Sequence, residues 1–441
     1  MPPIMKAVPR RLLAAGLLVL ATGWSAQAVE IERVRGPETG VEGLLVEDRT
    51  NPIVTVRIAF EGGALAERDG EEGLANLLST MLNEGAGDLD AEAFQDRLDA
   101  LGARFFASSS RESFRVGVSA LSDRLPQAVE LLALALNEPR FDDDPLARMK
   151  RQVATSLEAS RDTPRARARR QVAGFVWGDH PYARDDDGDP AIVRAADADD
   201  LRAVHGRLIG RDNAVVGAVG AIDAAELEGI IDRLFAELPA ERQVADIPDA
   251  APRTGLEETI RMPGSQASIR AVLPAPRRED DDFFAAYLVN HILGGGSFTS
   301  RLFKELREDR GLTYGAGSGI ATYDRGALWS ASVSTRPENV DEARDVLLGE
   351  IERMAREGPT EAELAAAKAY VKGAYAINNL ASSRSIAGVL LGLQENGLGD
   401  DYLERREALI DAVTIEDARA AATRYLSVQP TVITVLPEAA G

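Results

Sequence analysis

The chain repeats itself, and a repeat of this kind leaves few folds open. Each half opens with a strand-like segment, 53–60 in the first and 267–273 in the second. An apolar-periodic helical segment follows, 72–82 and 283–293, and ends in glycines. The next helix carries Phe94-x-x-x-Leu98-x-x-Leu101-Gly102 in the first half. Phe303-x-x-x-Arg307-x-x-Arg310-Gly311 lies at the same spacing in the second. Strand-like segments 114–120 and 328–334 come next, then two long helical stretches, 125–136 and 145–160 against 340–355 and 361–377. Both halves close on a helix and a strand: Asp200-Leu201-Arg202-Ala203 leads to 214–219, and Asp417-Ala418-Arg419-Ala420 leads to 431–436. Strands mixed with amphipathic helices bury their apolar stripes by packing helices against a sheet. The pattern predicts an α+β chain of two homologous domains, 29–240 and 256–441, each an antiparallel sheet packed with helices. The Pro- and charge-rich segment 241–255 reads as their linker.

The first 28 residues stand outside the repeat. Lys6, Arg10 and Arg11 precede an apolar run, 12–21, and Ser25-Ala26-Gln27-Ala28 places small residues before a cleavage point after Ala28. This is the pattern of a secretory signal peptide, and the run is short for a bilayer span. Arg10-Arg11 is only a faint twin-arginine sign. The mature chain is expected to be periplasmic or secreted, with no integral membrane segment. With no cysteine, neither disulfides nor thiolate metal sites are available.

A formal net charge of −21 disfavours nucleic acid and anionic lipid as partners. The acidic runs Asp142-Asp143-Asp144, Asp185-Asp186-Asp187 and 279–282 read as solvated loops. Asp185-x-Asp187-Gly188-Asp189 lacks the regular ligand spacing and closing glutamate of a calcium loop.

Several phrases, in order, resemble the pitrilysin (insulinase) family of zinc metallopeptidases, which includes the mitochondrial processing peptidases. They are Gly62-Gly63-Ala64, Glu72-Gly73-Leu74-Ala75, the segment 175–182 with His180-Pro181-Tyr182, and 293–314 with Leu293-Gly294-Gly295-Gly296-Ser297. Together they span nearly the whole mature chain. The resemblance implies a metal helix at the second phrase. Catalytic members carry H-x-x-E-H there: two histidines at i and i+4 share a helix face and bind zinc, and the glutamate acts as general base. The matching positions here are Asn76, Ser79 and Thr80, which offer neither imidazole nor carboxylate. The family's third ligand, a glutamate ahead of a D-x-P phrase, falls near Ser156 when counted back from Asp162-Thr163-Pro164, with Glu158 close by. The three histidines, His180, His205 and His291, have no ligand spacing and read as packing or surface residues. No metal is expected in this chain.

By the same resemblance, an arginine and a tyrosine face the zinc from a C-terminal domain, and here they are Arg307 and Tyr314. An arginine there can hold a substrate carbonyl, and a phenol can donate to an oxygen that becomes negative. Seen alone, Arg307 fits a solvated helix face equally well, and Tyr314 a packed strand start. Gly294-Gly295-Gly296 lacks the lysine and hydroxyl residue of a phosphate loop and reads as a helix end with a flexible turn; the resemblance adds a role in guiding substrate. Gly-x-Ser-x-Gly is absent.

The resemblance therefore implies a non-catalytic, substrate-binding subunit of a heterodimeric zinc peptidase. Its partner would be a homologous subunit with an intact H-x-x-E-H, which would hold the zinc, and its substrates would be unfolded peptides. The alternative is a structural or peptide-binding scaffold, as in core subunits of the respiratory bc1 complex; a stand-alone peptidase with an unfamiliar site is the third reading.

Overall fold

The computed structural model describes residues 30–161, 163–242 and 247–438. The expected signal segment and linker residues 243–246 lie outside the described residues.

The first half forms a six-stranded sheet from β1 (Glu32–Arg35), β2 (Glu42–Glu47), β3 (Ile53–Glu61), β4 (Arg104–Ser109), β5 (Ser113–Leu121) and β6 (Ala214–Gly220), in the order β1-β2-β6-β3-β5-β4. The second half forms a five-stranded sheet from β7 (Glu257–Met262), β8 (Ala267–Pro274), β9 (Thr313–Tyr323), β10 (Gly326–Thr335) and β11 (Thr431–Pro437), in the order β7-β11-β8-β10-β9. Both are antiparallel except for one parallel pair each, β2 with β6 and β7 with β11. The duplication is thus real at the level of topology, including the single parallel pairing.

Repeated helix signals give matching helices. Leu125–Asn137 and Asp143–Arg161 answer to Val340–Glu357 and Glu361–Asn379. Gly102 and Gly311 end the Phe-x-x-x motifs in the same left-handed conformation, φ 61° and 63°, which a residue without Cβ adopts at little cost. The halves differ in that stretch. The first has a regular helix, Ala91–Leu101. The second breaks into the short turn Arg301–Phe303 and a π-helical segment, Lys304–Asp309. A second π-helical segment, His291–Gly295, continues the helix Phe283–Asn290.

β3 is buried along both faces, from Val54 to Phe60 with only Arg57 partly open. One face packs on helices of its own half. The other receives helix Ser383–Glu395 of the second half, which places Ala387, Leu390 and Leu393 against Leu44, Val46 and Val219. The exchange is reciprocal. Helix Pro164–Trp177 of the first half brings Val176 and Trp177, with Tyr182, onto Ile260, Met262, Val272 and Ile433 of the second sheet. Each fully buried leucine or valine at these contacts contributes about 2 kcal/mol, so each half completes the other's core.

Candidate functional site

Helix Leu74–Met81 forms because Leu74, Ala75, Leu77, Leu78 and Met81 pack into the first core. Glu67 holds its N-terminus, accepting hydrogen bonds from the backbone N–H of Ala75 at 2.7 Å and of Gly73 at 3.1 Å. The carboxyl is buried, and burial pushes its pKa up to about 7 against the opposing pull of those N–H donors. Gly73 (φ 100°) meets Gly188 (φ 104°) backbone to backbone; a Cβ on Gly188 would lie 2.3 Å from the Gly73 Cα.

The three motif positions on this helix have their polar groups turned to local carbonyls. Asn76 Nδ2 donates to the carbonyl of Asp187 at 3.3 Å. The Ser79 and Thr80 hydroxyls donate to the carbonyls of Asn76 and Leu77, each at 2.7 Å. Ser156 is exposed on the neighbouring helix Asp143–Arg161, while Glu158 pairs with Arg194 at 2.6 Å. Among the described residues, no three His, Cys, Asp or Glu side chains gather as a metal site. An amide and two hydroxyls bound in this way do not fit zinc, which takes imidazole, thiolate or carboxylate donors.

The acidic segment beside this helix is a clasp, not a freely solvated loop. Asp185 faces Arg170 at 3.4 Å, Asp186 faces Arg111 at 3.5 Å, Asp187 pairs with Arg169, and Asp189 with Arg161 at 2.8 Å. The histidines are engaged as well. His180 accepts from the Tyr182 N–H at Nδ1, 3.1 Å, and so donates from Nε2 to the Pro248 carbonyl at 2.9 Å. His205 lies 2.8 Å from the Leu136 carbonyl, and burial lowers its pKa. His291 stacks on Tyr370 with ring centroids 4.9 Å apart.

In the second half, Arg307 rides on the π-helical segment Lys304–Asp309 and is exposed. Its guanidinium lies 4.8 Å from the Phe303 ring centre and 6.0 Å from that of Phe298. Arg307 makes no ion pair or side-chain hydrogen bond within the described residues. Its aromatic neighbours orient it without neutralising it. Tyr314, at the start of β9, is 86% exposed and does not pack.

The glycine run is tightly packed where a flexible turn is expected. None of the three glycines has positive φ. Instead, a Cβ on Gly294 would fall 2.4 Å from the Ser318 backbone N, one on Gly295 2.8 Å from Asn290 Nδ2, and one on Gly296 2.8 Å from the His291 carbonyl O. Ser297, just beyond, is left-handed at φ 50°, and Phe298 projects with 69% exposure. Composition gives no sign of this projecting aromatic; its only sequence signal is an aromatic residue two positions after a glycine run.

A cavity of 1230 Å³ lies between the halves, walled by Ala59, Arg115 and Val215 on one side and Arg270, Ser330 and Tyr323 on the other. At its edge Tyr182 donates to Glu112 and accepts from the Arg325 N–H at 2.8 Å, while the Asp324 N–H donates to Glu112 at 2.9 Å. Burial raises the pKa of Glu112, opposed by its hydrogen bond from Tyr182.

Comparison with known proteins agrees with this architecture. A family model described as insulinase (peptidase family M16) matches residues 44–185, and one described as peptidase M16 inactive domain matches residues 195–371. An uncharacterized zinc protease of Mycobacterium tuberculosis is 29% identical over 370 residues, covering 80% of this chain and 82% of that protein. Another, from Streptomyces coelicolor, is 25% identical over 416 residues, covering 90% and 88%. The crystal structure of a peptidase M16 inactive domain from Pseudomonas fluorescens superposes with a TM-score of 0.85 at 29% identity, covering 93% of this chain and 98% of that one. A protease structure from Helicobacter pylori shares the fold, with a TM-score of 0.82 at 19% identity, covering 92% and 100%. Two models of one family account for most of both halves, and the chain belongs to peptidase family M16, as a member whose helix Leu74–Met81 carries no H-x-x-E-H.

Proposed function

We propose that this chain is the non-catalytic, substrate-binding subunit of an exported heterodimeric zinc peptidase. Its partner is a homologous subunit with an intact H-x-x-E-H. The observation that carries the reading is a contrast between the halves. The first has hydroxyls turned back on their own helix where the family's metal ligands stand, while the second displays Arg307 without an acidic partner.

The zinc that the partner's H-x-x-E-H would hold would activate the attacking water. This chain supplies positioning. Arg307 donates to the carbonyl of the bound peptide, and the exposed Tyr314 hydroxyl donates to the oxygen that gains charge as the carbonyl becomes tetrahedral. Arg307 costs little reorganisation at the moment of reaction, because Phe298 and Phe303 already orient it.

The test is hydrolysis of a fluorogenic peptide, with zinc present, by the mature chain alone, by a zinc-motif homologue from the same source alone, and by the two mixed. Activity confined to the mixture supports the reading. Chelator-sensitive activity from this chain alone overturns it.

A further inference from the structure

Among its described residues the first half exposes two large apolar side chains, Ile53 (44%) and Leu121 (45%), and the register of β3 with β5 sets them directly opposite each other. They begin a graded surface. Alternate residues of a strand share a face, so the face of Ile53 continues through Thr55 to Arg57, while Val54, Val56 and Ile58 turn into the core. Across the strands, Thr55 pairs with Ser119 and Ser119 with Arg104; Arg57 pairs with Gly117 and Gly117 with Phe106. An apolar pair is thus followed by a hydroxyl pair flanked by a cation, and then by a cation with an aromatic ring. From Ile53 to Arg57 the surface runs about 13 Å. It carries no acid on these rows.

Glycines shape its cationic end. A Cβ on Gly117 would lie 2.4 Å from the Phe106 ring, and one on Gly388, in helix Ser383–Glu395, would lie 3.3 Å from an Arg57 guanidinium nitrogen. Phe106 can therefore lie over β5, and two guanidiniums rest on it, Arg57 at 5.0 Å and Arg384 at 6.0 Å from the ring centre. Among the described residues, Arg57, Arg104 and Arg384 have no ion-pair partner. Glu395, whose charge also reaches Arg57, is held by Arg115 at 2.7 Å. Burial and the charges of Arg115 and Arg384 lower the pKa of Arg57, so the cluster is one of unrelieved like charge. The Arg57 Nε–H is buried without an acceptor, which costs free energy until one arrives. The Thr55 and Ser119 hydroxyls lie 3.0 Å apart; one proton joins them and the other is left to donate.

We propose that this face of β3, β4 and β5 binds a small amphipathic anion, with its phosphate or carboxylate head among Arg57, Arg104 and Arg384 and its apolar tail on Ile53 and Leu121. Guanidinium forks match either oxyanion, and the cation–hydroxyl–apolar order fits one molecule with a head and a single chain. An anionic bilayer or a second copy of this chain would instead meet the repulsion of a net charge of −21. The inference is independent of the subunit reading.

The experiment uses the full mature chain alone. Decyl phosphate, below its micelle concentration, is titrated by calorimetry beside inorganic phosphate, decanoate, decanol and vesicles containing phosphatidylglycerol. The expected result is saturable one-to-one binding of decyl phosphate and decanoate, with inorganic phosphate at least tenfold weaker and no saturable binding of decanol. Arg384→Gln, an exposed change, should weaken decyl phosphate about tenfold or more. Leu121→Ser should weaken decyl phosphate several-fold and leave inorganic phosphate as it was, both variants keeping the parent's melting temperature. Absence of saturable binding, or affinity unchanged in both variants, overturns the inference. Binding to the vesicles without binding of free decyl phosphate also overturns it, in favour of a membrane surface.

Discussion

The buried Tyr182 hydroxyl joins the two halves: it donates to Glu112, in the β4–β5 turn, and accepts the backbone N–H of Arg325, in the β9–β10 turn, at 2.8 Å. Its ring is fully buried among Trp177 and Tyr323, with centroids 5.2 and 5.0 Å away, and Arg111 lies 5.7 Å over its face. This phenol and the Asp324 N–H that donates to Glu112 at 2.9 Å together tie the two turns across the halves.

Tyr182→Phe keeps the ring and removes the bridge. It leaves the Arg325 N–H without its acceptor and Glu112 with one donor fewer. Such a loss costs about 1–3 kcal/mol, read as a lower urea midpoint with an unchanged slope. A midpoint equal to that of the parent would show that the phenol is dispensable.

Glu67 makes stability depend on pH in a direction opposite to that of most carboxylates. Its pKa in the folded chain is about 7, above the ordinary 4.5 of the unfolded chain, because burial outweighs the donors at Gly73 and Ala75. The folded state thus binds the proton more tightly, and this contribution to stability falls as pH rises from about 4.5 to 7, by up to about 3 kcal/mol. Glu67→Gln cannot ionise. Its stability relative to the parent should improve steadily across that window in urea titrations; a constant difference would contradict the assignment.

Gly294→Ala places a methyl 2.4 Å from the Ser318 backbone N. The π-helical segment or β9 must shift, at a cost of about 1–3 kcal/mol. Gly315→Ala, where a Cβ meets nothing within 4 Å, should cost far less. Thermal unfolding of the pair separates the effect of close packing from that of adding a methyl.

Arg307→Ala and Tyr314→Phe should leave the melting temperature within a degree or two of the parent, since surface changes away from packed features alter stability by about 0.5 kcal/mol or less. In the mixture with the zinc-motif partner, each should lower kcat/KM by about ten- to hundredfold. Full activity in both variants would remove the pair from the proposed role.

Much of this protein is written in its sequence. The Phe94–Gly102 and Phe303–Gly311 phrases announce the duplication, because a helix ended by a left-handed glycine is a local event fixed by neighbouring residues. Period-two alternation marks β5 and β10, and the order of short phrases points to the family. Asn76, Ser79 and Thr80 are legible as residues that supply no zinc donor because ligand chemistry depends on residue type.

What the sequence does not show is which surface each element meets. The apolar stripes of Pro164–Trp177 and Ser383–Glu395 require burial, but only the tertiary structure sends each helix to the sheet of the other half. Asp185, Asp186 and Asp187 read as solvated until arginines distant in sequence are brought opposite them. Gly294 reads as freedom of the backbone until Ser318 is placed where its side chain would be. In each case local pattern is set by residues close in the chain, whereas a contact partner is chosen by the packing of segments far apart. Burial drives that packing but has no direction of its own.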